Sequence, residues 1–172
     1  MNRSIVLVSG GMDSAVTAAI AASIGPVAFL HVNYGQLTEA RELKAFDEIS
    51  GHYAVKERLV ADIKYLKDIG GSALTDPRME VPDGDLSKKD IPATYVPFRN
   101  GHLLAIAVSW AEVINADSIY IGAVEADSSG YPDCRADFFA SFERAVALGT
   151  RAGAITIKTP LIKLSKAEIV KK

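Results

Sequence analysis

Six consecutive positions, Ser9-Gly10-Gly11-Met12-Asp13-Ser14, pack two hydroxyls, two glycines and a carboxylate between the apolar run Val6-Leu7-Val8 and an alanine-rich stretch. Those residue types suit a phosphate cradle. Glycines let the backbone turn tightly and approach an anion with no Cβ in the way, and free N–H groups at the start of a following helix point at the phosphates along the helix dipole. Ser9 and Ser14 can donate to phosphate oxygens. Asp13 would repel a bare phosphate but suits a bridging magnesium ion. A plain glycine turn with Asp13 or Ser14 capping a helix accounts for one polar residue of the six, not for all of them.

Other phosphate loops are excluded by reading: the chain has no GxxxxGK[ST], and no GxGxxG follows a candidate strand. A late GxxGxxxxGS loop, expected of a non-catalytic nucleotide sensor of the universal-stress type, is also missing, and the single cysteine leaves no cysteine pair for a tRNA sulfur-insertion ligase. With 172 residues, 49% of them hydrophobic, the chain is expected to form one domain, residues 1–172. A formal net charge of -2 gives no electrostatic reason to expect nucleic acid or a membrane surface as partner, so a small molecule fits better. No apolar run approaches a membrane span, and no signal-peptide layout precedes the first strand. The lone Cys134 suggests a reducing compartment, and a cytoplasmic location is expected.

Apolar runs alternate with helical patterns, which predicts an α/β fold: a doubly wound, mostly parallel five-stranded sheet with helices on both faces. Strands are expected near Ser4–Val8, Val27–Asn33, Val55–Val60, Ser118–Ala123 and Thr156–Thr159. Helices are expected over Ser14–Ile24, Thr38–Ser50, Gly101–Asn115, Asp137–Leu148 and from Ser165 onward. Ligands of such sheets sit beyond the carboxyl ends of the strands. The polar segments fall there: SGGMDS, then His31-Val32-Asn33-Tyr34-Gly35-Gln36, then Glu125 to Arg135. Residues 70–95, with Lys88-Lys89-Asp90 inside, read as a mobile loop.

The spacing SGGxDS resembles the PP-loop of the ATP pyrophosphatases, which activate carbonyl or carboxylate oxygens by adenylation. Two further motifs, Tyr95-Val96-Pro97-Phe98-Arg99-Asn100-Gly101 and Gly130-Tyr131-Pro132-Asp133-Cys134-Arg135, together with HVNYGQ, are similar to the 7-cyano-7-deazaguanine (preQ0) synthases of the queuosine and archaeosine pathways. The resemblance runs from Ser4 to Lys172, and GYPDCR is its most discriminating piece. The ending from Thr159 to Ile169 supports the PP-loop class only.

The resemblance implies a ligase that turns 7-carboxy-7-deazaguanine and ammonia into the nitrile with ATP and magnesium. It implies that Val8, Ser9, Gly10, Gly11, Met12, Asp13 and Ser14 hold the phosphates, with Asp13 as the metal ligand. Leu30, His31 and Asn33 would receive the adenosine, with Lys163 near the nucleotide. Tyr34, Gln36, Arg99, Asn100, Glu125, Tyr131, Asp133 and Arg135 would form the substrate end, and Asp13, Ser14, Arg99 and Asp133 the catalytic set. Bland readings stay open beside these: Arg99 and Asn100 as caps of the helix at Gly101, His31 as a strand-end residue, Lys158 and Lys163 as solvated surface, and Cys134 as a small hydrophobe. The family carries a further segment with four cysteines for a structural zinc ion, whereas this chain ends at Lys172, and a truncated chain is expected. The family often forms homodimers, and no interface is legible in the sequence.

Overall fold

The computed structural model describes residues 3–79, 91–125 and 131–172. Five strands, β1 (Arg3–Leu7), β2 (Val27–Asn33), β3 (Arg58–Asp62), β4 (Ala116–Tyr120) and β5 (Thr156–Lys158), form one sheet in the order β3-β2-β1-β4-β5. Every pairing is parallel. The chain winds outward from β1 to β3 and then returns to the other side of β1 with β4, so the winding reverses between β1 and β4. Such a reversal leaves a crevice at the carboxyl edge, where ligands bind.

Strand alternation distributes the core to two faces. On β1, Ile5 and Leu7 join Ala28 and Leu30 of β2 under helices α4 (Arg99–Ile114) and α5 (Ala136–Gly149), whose Leu104, Ala107, Ala111, Phe139 and Val146 are buried there. Val6, Val8 and Phe29 point to the opposite face, against Ala18 and Ala21 of α1 (Met12–Ile24) and Phe46 of α2 (Glu39–His52). Truncating a fully buried side chain such as Phe46 or Leu104 to alanine costs about 3 kcal/mol or more. A third, smaller cluster of Val124, Leu161 and Ile169 packs with Val16 and Ile20 of α1, fastening the short helix α6 (Lys166–Val170) beside the phosphate loop.

The expected doubly wound architecture is the observed one, with shifted boundaries and one added helix. The third strand begins at Arg58 rather than Val55, because the Val55 N–H bonds back to the Ser50 carbonyl at 3.0 Å and still belongs to the end of α2. The fourth strand ends at Tyr120 rather than Ala123, and Ile121 to Ala123 turn into the crevice. A single turn, α3 (Tyr65–Ile69), had no periodic signal of its own. Within the stretch 70–95, residues 80–90 with Lys88-Lys89-Asp90 lie outside the described residues. Its two flanks are tied together, the Ala73 N–H donating to the Ala93 carbonyl at 2.8 Å.

Candidate active site

The carboxyl ends of β1, β2 and β4 open onto a cleft of about 470 Å³. Val8, Ser9, Gly11, Met12, Asp13 and Ser14 form one wall, and Arg99, Asn100, Leu103, Tyr131 and Cys134 the facing one. Leu7, Leu30, Val32 and Ile121 make an apolar floor between them.

The phosphate loop owes its shape to the lack of a side chain at Gly10. Its φ is 82°, and a Cβ there would stand 2.8 Å from the Ala45 Cβ and 2.9 Å from the Glu42 carbonyl oxygen, so α2 presses directly on the loop. Helix α1 follows with Gly11 as its N-cap and no side chain capping it, which leaves first-turn N–H groups for an anion. The hydroxyls are held nearby: Ser14 donates to the Gly11 carbonyl at 2.8 Å and Ser9 to the Ser14 hydroxyl at 3.3 Å. Asp13 Oδ2 accepts from Lys166 Nζ at 2.6 Å, while Oδ1 is buried without a hydrogen-bond partner among the described residues.

Across the cleft, Arg99 lies over the Tyr34 ring, 5.3 Å from its centroid, and donates to the Tyr34 hydroxyl at 3.1 Å. Stacking and a hydrogen bond together hold a guanidinium in one plane, as a planar anion requires. Burial pushes the Tyr34 phenol above its usual value, although the nearby Arg99 charge acts the other way. Asn100 follows at the start of α4, and its backbone N–H donates to Asp133 Oδ2 at 2.8 Å. Its side-chain amide donates to the Asp133 carbonyl at 2.9 Å and contacts Cys134 Sγ at 3.1 Å. The loop carrying Asp133 therefore caps α4 from a distance. Burial raises the Asp133 carboxyl above the ordinary carboxylate value, opposed by the Asn100 N–H and the Arg99 charge.

A sequence model of the family described as "Queuosine biosynthesis protein QueC" matches residues 3–172. The chain belongs to the QueC family. It is 54% identical over 172 residues to the 7-cyano-7-deazaguanine synthase of Chlorobium phaeobacteroides strain BS1, covering 99% of this chain and 76% of that protein. It is 52% identical to the 7-cyano-7-deazaguanine synthase of Koribacter versatilis, covering 98% and 73%. Among solved structures, the predicted subunit of tRNA methyltransferase from Methanocaldococcus jannaschii aligns with a TM-score of 0.62 at 15% identity, over 99% of this chain and 73% of that one. The NH3-dependent NAD synthetase of Campylobacter jejuni aligns at 0.54 and 13%, over 99% and 61%. At such identities the likeness speaks for the fold alone.

Of the residues singled out in the sequence, the cleft gathers the phosphate loop except Gly10, together with Leu30, Tyr34, Arg99, Asn100 and Tyr131. His31 and Asn33 sit behind the floor: His31 is 1% exposed, with one ring nitrogen 2.9 Å from the Val8 carbonyl and the other 3.0 Å from Asn33 Oδ1. Both rather brace the strand end than face the cleft. Gln36 is buried and braces too, accepting from the Tyr34 N–H at 2.9 Å and donating to Glu42 at 3.0 Å. Asp133 is buried behind the wall as a cap, while Glu125, Arg135 and Lys163 are exposed and do not line the cleft. Gly130 lies outside the described residues. The lining residues missed in the sequence include Glu42, Gly122 and Lys166. Ser165-x-x-Glu168 does form a capping box, which marks where α6 starts but not that Lys166 reaches Asp13.

Proposed function

We propose that the chain is an ATP-dependent carbon–nitrogen ligase that converts 7-carboxy-7-deazaguanine and ammonia into 7-cyano-7-deazaguanine in queuosine or archaeosine precursor synthesis. The observation that carries this reading is the meeting of the PP-loop and the Tyr34-braced Arg99 on the two walls of one cleft in a QueC-family chain. The α1 N–H groups with the Ser9 and Ser14 hydroxyls bind the ATP phosphates, and the apolar floor at Leu30 and Val32 receives the adenosine. Arg99 holds the substrate carboxylate in a fork so that one oxygen faces the α-phosphate. Attack of that oxygen expels pyrophosphate and forms an acyl adenylate. Ammonia displaces AMP and leaves an amide; a second ATP adenylates the amide oxygen with release of pyrophosphate, and that oxygen departs with AMP as the N–H protons are lost and the nitrile forms. The residues contribute position and charge stabilisation rather than covalent chemistry.

A magnesium ion fits the residues present. Asp13 Oδ1 is a buried acceptor with no partner among the described residues, in a loop where a carboxylate beside phosphates needs a cation between them. Asp13, Ser9 and Ser14 would hold it, and it would neutralise charge building on the phosphates. The residues present supply no set of ligands for a structural zinc ion: Cys134 is the only cysteine in this sequence, and no cluster of three or more His, Cys, Asp or Glu exists among the described residues. No step runs through zinc. No helix among the described residues is long and apolar enough to cross a membrane; we place the reaction in the cytoplasm and take a homodimer as the working assembly.

The test is to incubate the purified protein with 7-carboxy-7-deazaguanine, ATP, magnesium and ammonium and to follow the nitrile by mass spectrometry. Nitrile that depends on both ATP and ammonium is expected. ATP binding without any nitrile would overturn the reading in favour of a nucleotide-binding protein.

A further inference from the structure

Lys166 and Asp13 stand 153 positions apart in the chain, yet Nζ lies 2.6 Å from Oδ2 at the edge of the cleft. The contact is built by the fold. Leu161 and Ile169 are fully buried against Val16 and Ile20 of α1, which pins α6 alongside the helix that carries Asp13. The Ser165–Glu168 capping box fixes the first turn of α6, where Lys166 stands. The pair is lopsided in exposure: the Lys166 side chain is half exposed and that of Asp13 only a quarter. One carboxylate oxygen is engaged and the other is buried without a partner. The Asp13 charge is therefore balanced through one oxygen only, by a cation on a flexible four-carbon stem that can leave.

We propose that Lys166 is the counter-charge of the nucleotide-free cleft, yielding Asp13 to a divalent cation and turning to the nucleotide's phosphates, so that metal enters the site only together with nucleotide. An ammonium and a divalent ion cannot both sit within bonding distance of one carboxylate without strong repulsion. While Lys166 holds Oδ2, a cation arriving alone at Oδ1 meets a positive charge bonded to the other oxygen of the same carboxylate. A nucleotide removes that obstacle, since its phosphates offer the ammonium new partners a few ångströms away in the same cleft. Lys166 thus serves the nucleotide site twice, excluding metal before ATP arrives and balancing phosphate charge afterwards. The inference rests on the ATP and magnesium reading of the preceding subsection.

The test uses Mn²⁺ as the probe, counted by electron paramagnetic resonance with and without the non-hydrolysable analogue AMPPNP, on wild type, Lys166→Gln and Lys166→Arg. The Lys166 side chain is half exposed and belongs to a five-residue helix, so folding is checked by thermal melting alone. Wild type is expected to bind Mn²⁺ weakly without nucleotide and about tenfold or more tightly with it, the size of an ordinary coupling between sites. Lys166→Gln should bind Mn²⁺ alone about threefold to tenfold more tightly, as loss of a half-exposed ion pair and its repulsion allows, and bind AMPPNP more weakly. Lys166→Arg, which keeps the charge, should stay near wild type. Unchanged Mn²⁺ affinity in a folded Lys166→Gln protein would overturn the inference while leaving the ATP site intact. Failure of wild type to bind AMPPNP with Mn²⁺ would bring down the underlying reading and the inference together.

Discussion

Gly122 and Asp13 touch at backbone level: a Cβ on Gly122 would stand 2.8 Å from the Asp13 carbonyl oxygen. The same carbonyl accepts the Thr17 hydroxyl at 2.8 Å, and that hydroxyl would be 3.0 Å from the added Cβ. The first turn of α1 thus rests directly on the chain leaving β4, and the phosphate loop inherits its position from that strand. Gly122→Ala should push the helix start out of place. A loss of about 1–3 kcal/mol in stability is expected from the overpacking, and ATP affinity should fall about tenfold or more with the displaced N–H groups. Calorimetry of ATP binding and a denaturant melt measure both, and unchanged ATP binding would show that the contact does not set the loop.

Asp13→Asn keeps the side-chain shape and one acceptor oxygen but removes the charge. With its cation ligand lost, nitrile formation should drop by about 10²-fold or more while the fold persists, because a loop carboxylate contributes little to the core. A fully active Asp13→Asn enzyme would refute the metal role.

Arg99 and Tyr34 separate by their partial variants. Arg99→Lys keeps a positive charge but loses the planar fork, so the KM for the carboxylate substrate should rise by about tenfold or more. Tyr34→Phe keeps the ring under the guanidinium and loses only the hydroxyl acceptor of the 3.1 Å bond, so a smaller rise of about threefold to tenfold is expected. Equal KM values across wild type and both variants would place the carboxylate elsewhere.

Asp133 is expected to show itself first as a stability residue. Asp133→Ala removes the acceptor of the Asn100 N–H at the start of α4 and should cost about 1–2 kcal/mol. The pH dependence has a definite sign. Burial raises the Asp133 pKa in the folded protein, so the folded state holds its proton more tightly than the unfolded chain does. Ionisation then weakens the fold as pH rises from the ordinary carboxylate value through the raised one. Asp133→Asn, whose amide oxygen can still accept the N–H, should lessen the loss of stability as pH rises above the ordinary carboxylate value. Identical melting profiles of wild type and Asp133→Asn over that range would contradict the assignment.

Much of the Ser9–Ser14 loop was legible in the sequence because its determinants are local. Gly10 needs its positive φ, Ser9 and Ser14 bond within the loop, and α1 begins within the same few residues. The alternation through β1 and the residue after it, Ile5 and Leu7 on one face and Val6 and Val8 on the other, is local as well, and it dictated a sheet covered on both sides. The facing wall of the cleft was legible only as residue types. Nothing in the run around Asp133 says that its carboxylate turns to cap α4 rather than to face the cleft, and the His31 ring, alone in sequence, is taken up by Val8 and Asn33.

By itself the sequence determined the parallel α/β fold, the phosphate loop and the family. The tertiary structure alone decided that Tyr34 flattens Arg99, that Gly122 seats α1 and that Lys166 closes on Asp13. The physical reason is range: backbone conformation and face alternation are set by neighbours a few positions away, whereas these three contacts join residues 65, 109 and 153 positions apart, brought together only when both faces of the sheet have packed.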